Sequence, residues 1–172
     1  MVHTSVFKVA SGLKLIKYTI LFSEYKDDVF VAKFYPTSMS NDEDRFSYVL
    51  DYGMKFCNIV VSTVFVAMMH MAKKHPQHSF GYIGAAKIKR KEIKSGTLIQ
   101  KESKVKTKRF QLYLSMSDQL VNPEYFFTFS DESNSAIILI NKSVYFRQDE
   151  AENYRDKLEK MFKENYTDFN PD

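Results

Sequence analysis

The sequence predicts a single α+β domain, in which a mostly antiparallel mixed sheet packs with about three helices. The chain has 172 residues, which suits one domain. Hydrophobic residues make up 44% and charged residues 27%, as in a packed globular protein. Short runs of β-branched and aromatic residues alternate with turn signals and with two longer helical patterns. We therefore treat residues 1–172 as one domain.

The N-terminal part of the chain is predicted to form strands. Thr4–Ala10 mixes apolar and polar residues, whereas Tyr18–Ser23 and Val29–Tyr35 are rich in β-branched and aromatic residues. The polar segment Lys26–Asp28 is a turn signal, so the second and third strands should form a hairpin. Arg45–Asp51 is compatible with either a strand or a helical turn.

A central helix is predicted over Cys57–Lys74, because apolar residues occur on nearly all of its faces. Asn58 is a suitable N-cap, and Pro76 stops the helix. Several valines favour an alternative, a strand into Val61 followed by a shorter helix. Ser79–Ala86 is then predicted to form a strand.

The C-terminal part is predicted to contain two helices and a hairpin. Thr107–Leu120 fits a helix face and strand alternation equally well, and we favour the helix because good helix formers predominate. Tyr125–Phe129 and Ala136–Ile140 are predicted to pair as a hairpin, and Gln148–Asn165 has an apolar stripe with acidic residues in its first turn. Thr167–Asp172 is a polar tail that we expect to fray. The predicted core comprises Phe34, Val61, Val64, Phe65, Met68, Ile83, Phe127, Ile138, Leu158 and Phe162.

The basic residues cluster in one segment. From Lys87 to Arg109 there are ten basic and two acidic residues, a net charge of +8 in a chain of +4. The part over 87–106 has no convincing apolar stripe, which predicts a long basic loop or a hairpin. A basic segment on a mildly acidic body is typical of contact with an anionic partner. The candidate anion-binding or nucleic-acid-binding residues are Lys87, Lys89, Arg90, Lys91, Lys94, Lys108 and Arg109.

Aromatic residues flank this segment and would stack on bases if they were exposed. They are Phe80, Tyr82, Phe110 and Tyr113. Lysine outnumbers arginine eight to two in the segment, which argues against specific bidentate recognition. The alternative is that the lysines only keep a solvated loop soluble.

No metal site and no nucleophilic cysteine are expected. Cys57 is the one cysteine, so a disulfide framework and a cysteine zinc ribbon are excluded, and its apolar surroundings indicate a small core residue. His70 and His75 are five residues apart and would lie on different sides of a helix. The carboxylates occur mostly in predicted turns, where solvated acids are usual.

The N-terminal region is not expected to be an export signal, because Lys8, Lys14 and Lys17 interrupt its apolar residues. The apolar run Phe56–Met71 is too short and too polar in places to span a membrane, which needs about 20 apolar residues. We expect a cytoplasmic protein with no cofactor and no membrane partner. A homodimer through edge strands is left open.

The segment Gly81–Ala86 has the sequence GYIGAA. Together with the order of elements over Tyr18–Ile140, it resembles the GNAT acyltransferases. In that family the backbone amides of a Gln/Arg-x-x-Gly-x-Gly/Ala turn hold the pyrophosphate of coenzyme A. Gly84 and Ala86 align with the final Gly-x-Ala, and Gly81 stands where the family has Gln or Arg. The cofactor-binding residues that this resemblance implies are Gly84, Ala85 and Ala86.

The pair Leu112-Tyr113 is similar to a Leu-Tyr pair on a later helix of GNAT enzymes, whose tyrosine protonates the leaving thiolate. The resemblance implies Tyr113 as the catalytic acid and acyl-coenzyme A as the cofactor. The family's upstream Asn and downstream Gly-Phe are absent. Our primary expectation is a non-catalytic binding or interaction module that contacts nucleic acid or another anionic partner, and the alternative is a GNAT-like acyltransferase. The enzyme requires backbone amides beside Gly84 that can point at phosphate.

Overall fold

The structure is a computed structural model that describes residues 1–26, 28–42, 45–46, 54–84, 88–93, 96–101, 103 and 105–165. These residues form eight strands and three α-helices. In chain order they are β1 (Val2–Ser11), β2 (Lys14–Tyr25), β3 (Val29–Pro36), α1 (Met54–Lys74), β4 (Ser79–Ile83), β5 (Ile88–Ile93), β6 (Gly96–Lys101), α2 (Lys108–Leu120), β7 (Phe126–Asp131), β8 (Ala136–Asn141) and α3 (Gln148–Asn165).

The main sheet is mixed and has six strands in the order β1-β2-β3-β4-β8-β7. Neighbouring strands pair antiparallel except β3 and β4, which are parallel and are connected through α1. Strands β5 and β6 form a separate two-stranded antiparallel sheet. The predicted α+β fold is thus confirmed.

Helix α1 begins one turn earlier than the sequence predicts. Its start at Met54 places Asn58 inside the helix, so the predicted N-cap is wrong, as is a strand into Val61. The extra turn contains Phe56, which is buried and lies with its ring centroid 6.2 Å from that of Tyr18 on β2. Burial of this aromatic ring against the sheet stabilises a helical turn that the local pattern does not indicate.

Helices cover both faces of the sheet. On one face, α1 and α2 pack on a large aromatic cluster that includes Phe22, Phe30, Phe80 and Tyr82. On the other face, α3 lies over β3, β4, β7 and β8 and buries Leu158 with its neighbours. Six predicted core residues are buried: Val61, Val64, Phe65, Met68, Ile138 and Leu158. Three others are half-buried at the margins of the clusters: Phe34, Ile83 and Phe127. The side chain of Phe162 lies outside the described residues.

The predictions for the C-terminal half are largely confirmed. The helix predicted over Thr107–Leu120 is observed as α2, with Thr107 as its N-cap. Helix α3 has the predicted bounds. The hairpin of β7 and β8 is also as predicted. Strand β4 ends at Ile83, before the predicted end at Ala86. Residues 47–51, which were compatible with a strand or a helical turn, and the tail 167–172 lie outside the described residues.

Candidate functional site

Several connections meet at one end of the main sheet, the end at which the parallel strands β3 and β4 terminate. Because β2 and β8 run antiparallel to their neighbours, the β1–β2 turn and the β7–β8 turn lie at this same end. Helix α1 begins here, and the β5–β6 pair and the start of α2 follow β4. Since the basic segment belongs to this region, we call it the basic end of the sheet.

A compact set of hydrogen bonds joins β4, the β7–β8 turn and α2 at the basic end. The Thr107 hydroxyl donates to the Gly84 carbonyl at 2.7 Å and accepts from the Phe110 amide at 3.1 Å. The Gly84 amide donates to the Ser135 carbonyl at 2.8 Å. The Thr107 amide donates to the Ser135 hydroxyl at 2.9 Å. Because all these groups are buried or backbone groups, the network fixes the start of α2 against the sheet.

Gly84 is required by this close approach. A Cβ atom at Gly84 would lie 2.7 Å from the Phe110 amide nitrogen and 2.8 Å from the Thr107 hydroxyl oxygen. The glycine therefore relieves crowding against a helix, which is the ordinary structural role of glycine at the end of a strand. Its amide already donates to Ser135, so in this structure it is engaged within the fold rather than pointed at a cofactor. The other two residues of the implied cofactor turn, Ala85 and Ala86, lie outside the described residues.

Tyr113 belongs to α2, and its side chain lies in the interior of the protein. Its ring packs between Phe34 and Tyr82, with centroid distances of 6.1 and 5.8 Å. Burial raises the pKa of the Tyr113 phenol well above its usual value, and the nearby Arg109 guanidinium opposes this rise in pKa. A general acid must touch the reacting atoms, whereas this side chain is 3% exposed. The geometry is that of a core tyrosine with a polar neighbour.

The described cations at the start of α2 have different surroundings. The Arg109 guanidinium carbon lies 5.7 Å from the centroid of the Phe34 ring, and Nη1 donates to the Phe46 carbonyl. Lys106 pairs with Glu132 at 3.0 Å, with both side chains exposed. Lys108 is exposed. Arg109 thus contributes to packing, while the two lysines lie at the surface.

Three of the remaining predicted anion-binding residues, Lys89, Arg90 and Lys91, lie on β5 of the two-stranded sheet, which we call the basic ribbon (Ile88–Ile93 and Gly96–Lys101). Lys89 and Lys91 are opposite Gln100 and Leu98, and Arg90 is opposite Ile99. The sequence is compatible with a loop or a hairpin over this segment, and the structure contains the hairpin. Lys87 and Lys94 lie outside the described residues.

A cation–aromatic cluster after β3 was not predicted from the sequence. The guanidinium carbon of Arg45 lies 5.3 Å from the centroid of Tyr35 and 4.9 Å from that of Phe46. Lys33 places its ammonium nitrogen 5.5 Å from the same Phe46 ring. Such contacts stabilise cations over aromatic faces at the end of β3. The alternation of aromatic and basic residues was the available signal, but it does not specify which cation meets which ring.

The opposite end of the sheet contains a histidine cluster that the sequence did not indicate. His3, His75 and His78 surround Phe30, with ring centroid distances to it of 5.6, 5.1 and 4.6 Å. His78 Nε2 lies 3.2 Å from a Glu24 carboxylate oxygen. Burial, together with the neighbouring histidines, lowers the pKa of His75. Among the described residues, no group of three or more His, Cys, Asp or Glu side chains has an arrangement that could hold a metal ion.

Comparison with known proteins gives no relative from which a role could be inferred. No protein-family model, curated protein or solved structure matches this chain. Within the described part of the chain, one helix, over Lys55–Lys74, is long and apolar enough to cross a membrane, contrary to the expectation for the shorter run Phe56–Met71. Its Val64, Phe65 and Met68 are buried against the sheet, whereas Ile59 and Val66 are exposed, so the helix is buried on one side only.

Proposed function

We propose that this protein is a non-catalytic interaction module that contacts an anionic partner through the basic ribbon and the adjoining start of α2. The observation that carries the proposal is the hairpin of β5 and β6, a separate two-stranded sheet within the segment of net charge +8. Among the described elements, the two ribbon strands make their main contacts with each other. The basic residues Lys89, Arg90 and Lys91 therefore belong to an element outside the six-stranded sheet.

The ribbon is suited to an extended anionic surface. Each of its strands has six residues, which corresponds to a length of about 20 Å. Strand β5 carries Lys89, Arg90 and Lys91 in succession. A two-stranded β-ribbon also has dimensions that the major groove of duplex DNA admits. The predominance of lysine favours phosphate contacts over base-specific recognition.

The acyltransferase alternative finds less support at the atoms on which it depends. It assigns the cofactor pyrophosphate to amides at Gly84–Ala86, and the Gly84 amide is bonded to Ser135. It assigns proton transfer to Tyr113, which is buried. A thermal-shift titration with acetyl-coenzyme A tests this alternative directly, because specific binding would raise the melting temperature with ligand concentration.

The test of the proposal is a fluorescence-anisotropy titration of labelled single-stranded and double-stranded oligonucleotides over a salt series. The triple variant Lys89→Glu, Arg90→Glu and Lys91→Glu should bind about a hundredfold more weakly than the native chain. The matched control is the triple variant Lys26→Glu, Lys73→Glu and Lys74→Glu, which makes the same charge change at exposed positions at the opposite end of the sheet.

The control variant should keep most of the native affinity, because its lysines lie away from the ribbon. Equal weakening in both variants would mean that only net charge matters, and would contradict a ribbon interface. If neither oligonucleotide binds at low salt, the same two variants should be compared for binding to an acidic polypeptide such as poly-glutamate. Absence of ribbon-dependent binding to either polyanion would refute the proposal.

A further inference from the structure

The β1–β2 hairpin extends beyond the rest of the sheet at the basic end. Tyr18 of β2 pairs with Pro36, the last residue of β3, so the part of β2 that precedes Tyr18 has no partner in β3. Residues Lys14–Lys17 pair only with β1, and Gly12 forms the turn with a φ of +58°. About four residues of each strand, or about 13 Å, therefore project past the end of β3. We call residues 8–17 the arm.

The lysines of the arm, Lys8, Lys14 and Lys17, are exposed, whereas Val9 is buried in a cluster with Phe56 and Val60 of α1. Lys8 lies directly opposite Lys17 in the strand pair. No acidic residue occurs before Glu24. Like charges placed opposite each other on paired strands repel and reduce stability. This arrangement is unfavourable for the free protein, and an anionic ligand would relieve the repulsion.

The arm and the ribbon lie at the same end of the sheet. Among the described residues of the connections at this end (8–17, 33–42, 45–46, 54–55, 88–93, 96–101, 105–109 and 131–135), 13 are basic and 4 are acidic. The acids Asp42, Glu92, Asp131 and Glu132 keep the charge from being uniform. The excess of positive charge is nevertheless concentrated at one end, while the remaining residues are net negative.

We propose that the anionic partner is a nucleic acid whose backbone follows the basic end from the ribbon to the arm, with Lys8, Lys14 and Lys17 as a second set of phosphate contacts. This inference rests on the proposed function of the ribbon. Strands β2 and β4 are separated by β3, so two strand spacings, or about 10 Å, lie between the elements that carry the arm and the ribbon. Adding the lengths of the two hairpins gives a footprint of some tens of ångströms.

The size of this footprint distinguishes the candidate ligands. A single phosphate or a mononucleotide would contact one hairpin, whereas a nucleic acid presents regularly repeated charges along its whole length. Both hairpins offer mainly lysines, which suits contacts to the backbone without base specificity. The arm also exposes Leu13 and Leu15, so an anionic lipid surface is the outcome that the experiment must separate.

The experiment compares short and long oligonucleotides on three proteins: the native chain, the ribbon triple variant, and an arm triple variant with Lys8→Glu, Lys14→Glu and Lys17→Glu. An oligonucleotide of about 8 nucleotides is short enough for one hairpin, and one of about 24 nucleotides reaches both. The arm variant should bind the long oligonucleotide about tenfold more weakly or worse, with a salt slope shallower by roughly 2 to 3. It should bind the short one nearly as the native chain does.

The possible failures are distinguishable. Loss of binding in the ribbon variant with native behaviour of the arm variant, at both lengths, would overturn this inference and leave the proposed function intact. Native behaviour of both variants would overturn this inference, and it would also overturn the proposed function if the ribbon variant binds the acidic polypeptide as the native chain does. Arm-dependent binding to vesicles of anionic phospholipid, without arm-dependent binding to the long oligonucleotide, would overturn the inference in favour of a membrane surface. Should the arm variant unfold, as judged by circular dichroism, the neutral variant with Lys→Gln at the same positions decides the question by the same criteria.

Discussion

The basic ribbon and the start of α2 are neighbours in the sequence and carry the same kind of charge, but the fold treats them differently. The ribbon strands pair with each other in a sheet of their own. The start of α2 is joined to the main sheet through Thr107, Gly84 and Ser135, and its next residues include the buried Phe110. The start of α2 is thus fixed to the main sheet, whereas the ribbon forms a separate sheet.

This difference shows that a cluster of cations in sequence is not one functional unit. Arg109 lies over the Phe34 ring and donates to the Phe46 carbonyl, so its charge is used within the fold. Lys89 and Lys91 lie on a hairpin whose strands make their main contacts with each other. Substitution of Arg109 should change stability, and substitution of Lys89 or Lys91 should change binding.

The substitution Gly84→Ala should have the largest effect on stability. The added methyl group would meet backbone atoms of α2, and overpacking of this kind costs about 1 to 3 kcal/mol. Urea denaturation measures the loss. Gly12→Ala provides a comparison of a different kind, because Gly12 has open space around it and is strained only by its positive φ. If Gly84→Ala is as stable as the native chain, the packed attachment of α2 is not as described.

Tyr113→Phe should have an intermediate effect. Removing a buried hydroxyl near Arg109 should cost about 1 kcal/mol, and oligonucleotide binding per folded molecule should not change. Tyr125→Phe, at an exposed position, is the matched control and should be neutral. The variant would support the acyltransferase alternative if it kept native stability but lost acetyl-coenzyme A binding or an acyl-transfer activity. That result would also remove the distinction between a structural and a binding region of basic residues.

The smallest effect concerns pH and the opposite end of the sheet. The pKa of His75 is lowered in the folded state, so its contribution to stability is complete above the unfolded value of about 6.5 and is lost as the pH falls towards the folded value. The melting temperature should therefore be lower at about pH 5 than at about pH 7. His75→Gln should flatten this dependence, whereas His70→Gln, at an exposed position, should not. A steeper dependence in the His75 variant would contradict the assignment.

The sequence predicts best those elements whose signal is local. Helix α3 has its predicted bounds because Ala151, Tyr154 and Leu158 repeat at helical spacing and are all buried. The arm was missed, since Lys14 and Lys17 interrupt the apolar pattern and β2 begins there only through pairing with β1. The proximity of His3 to His75 also depends on tertiary packing, which brings β1 to the end of α1.

For the candidate site, too, the sequence predicted the local features and missed those that depend on tertiary contacts. The charge of the ribbon segment is evident from composition, but its pairing as a sheet separate from the main one follows from the register of β5 with β6. The role of Gly84 required the position of Thr107, which is 23 residues away along the chain. Local patterns therefore identified the charged segment, while long-range contacts determined which of its residues are structural.

The hydrogen bond between Thr107 and Gly84 also shows where the chain could be shortened. Its length of 2.7 Å means that the end of β4 at Gly84 and the start of α2 at Thr107 lie at nearly the same point. The segment that joins them is a self-contained insertion, since closing a loop between adjacent points costs the remaining fold little. A short turn that joins Gly84 directly to Thr107 would preserve the ends of β4 and α2. The ribbon would then be a cassette that can be removed, or grafted between the same two elements of another scaffold.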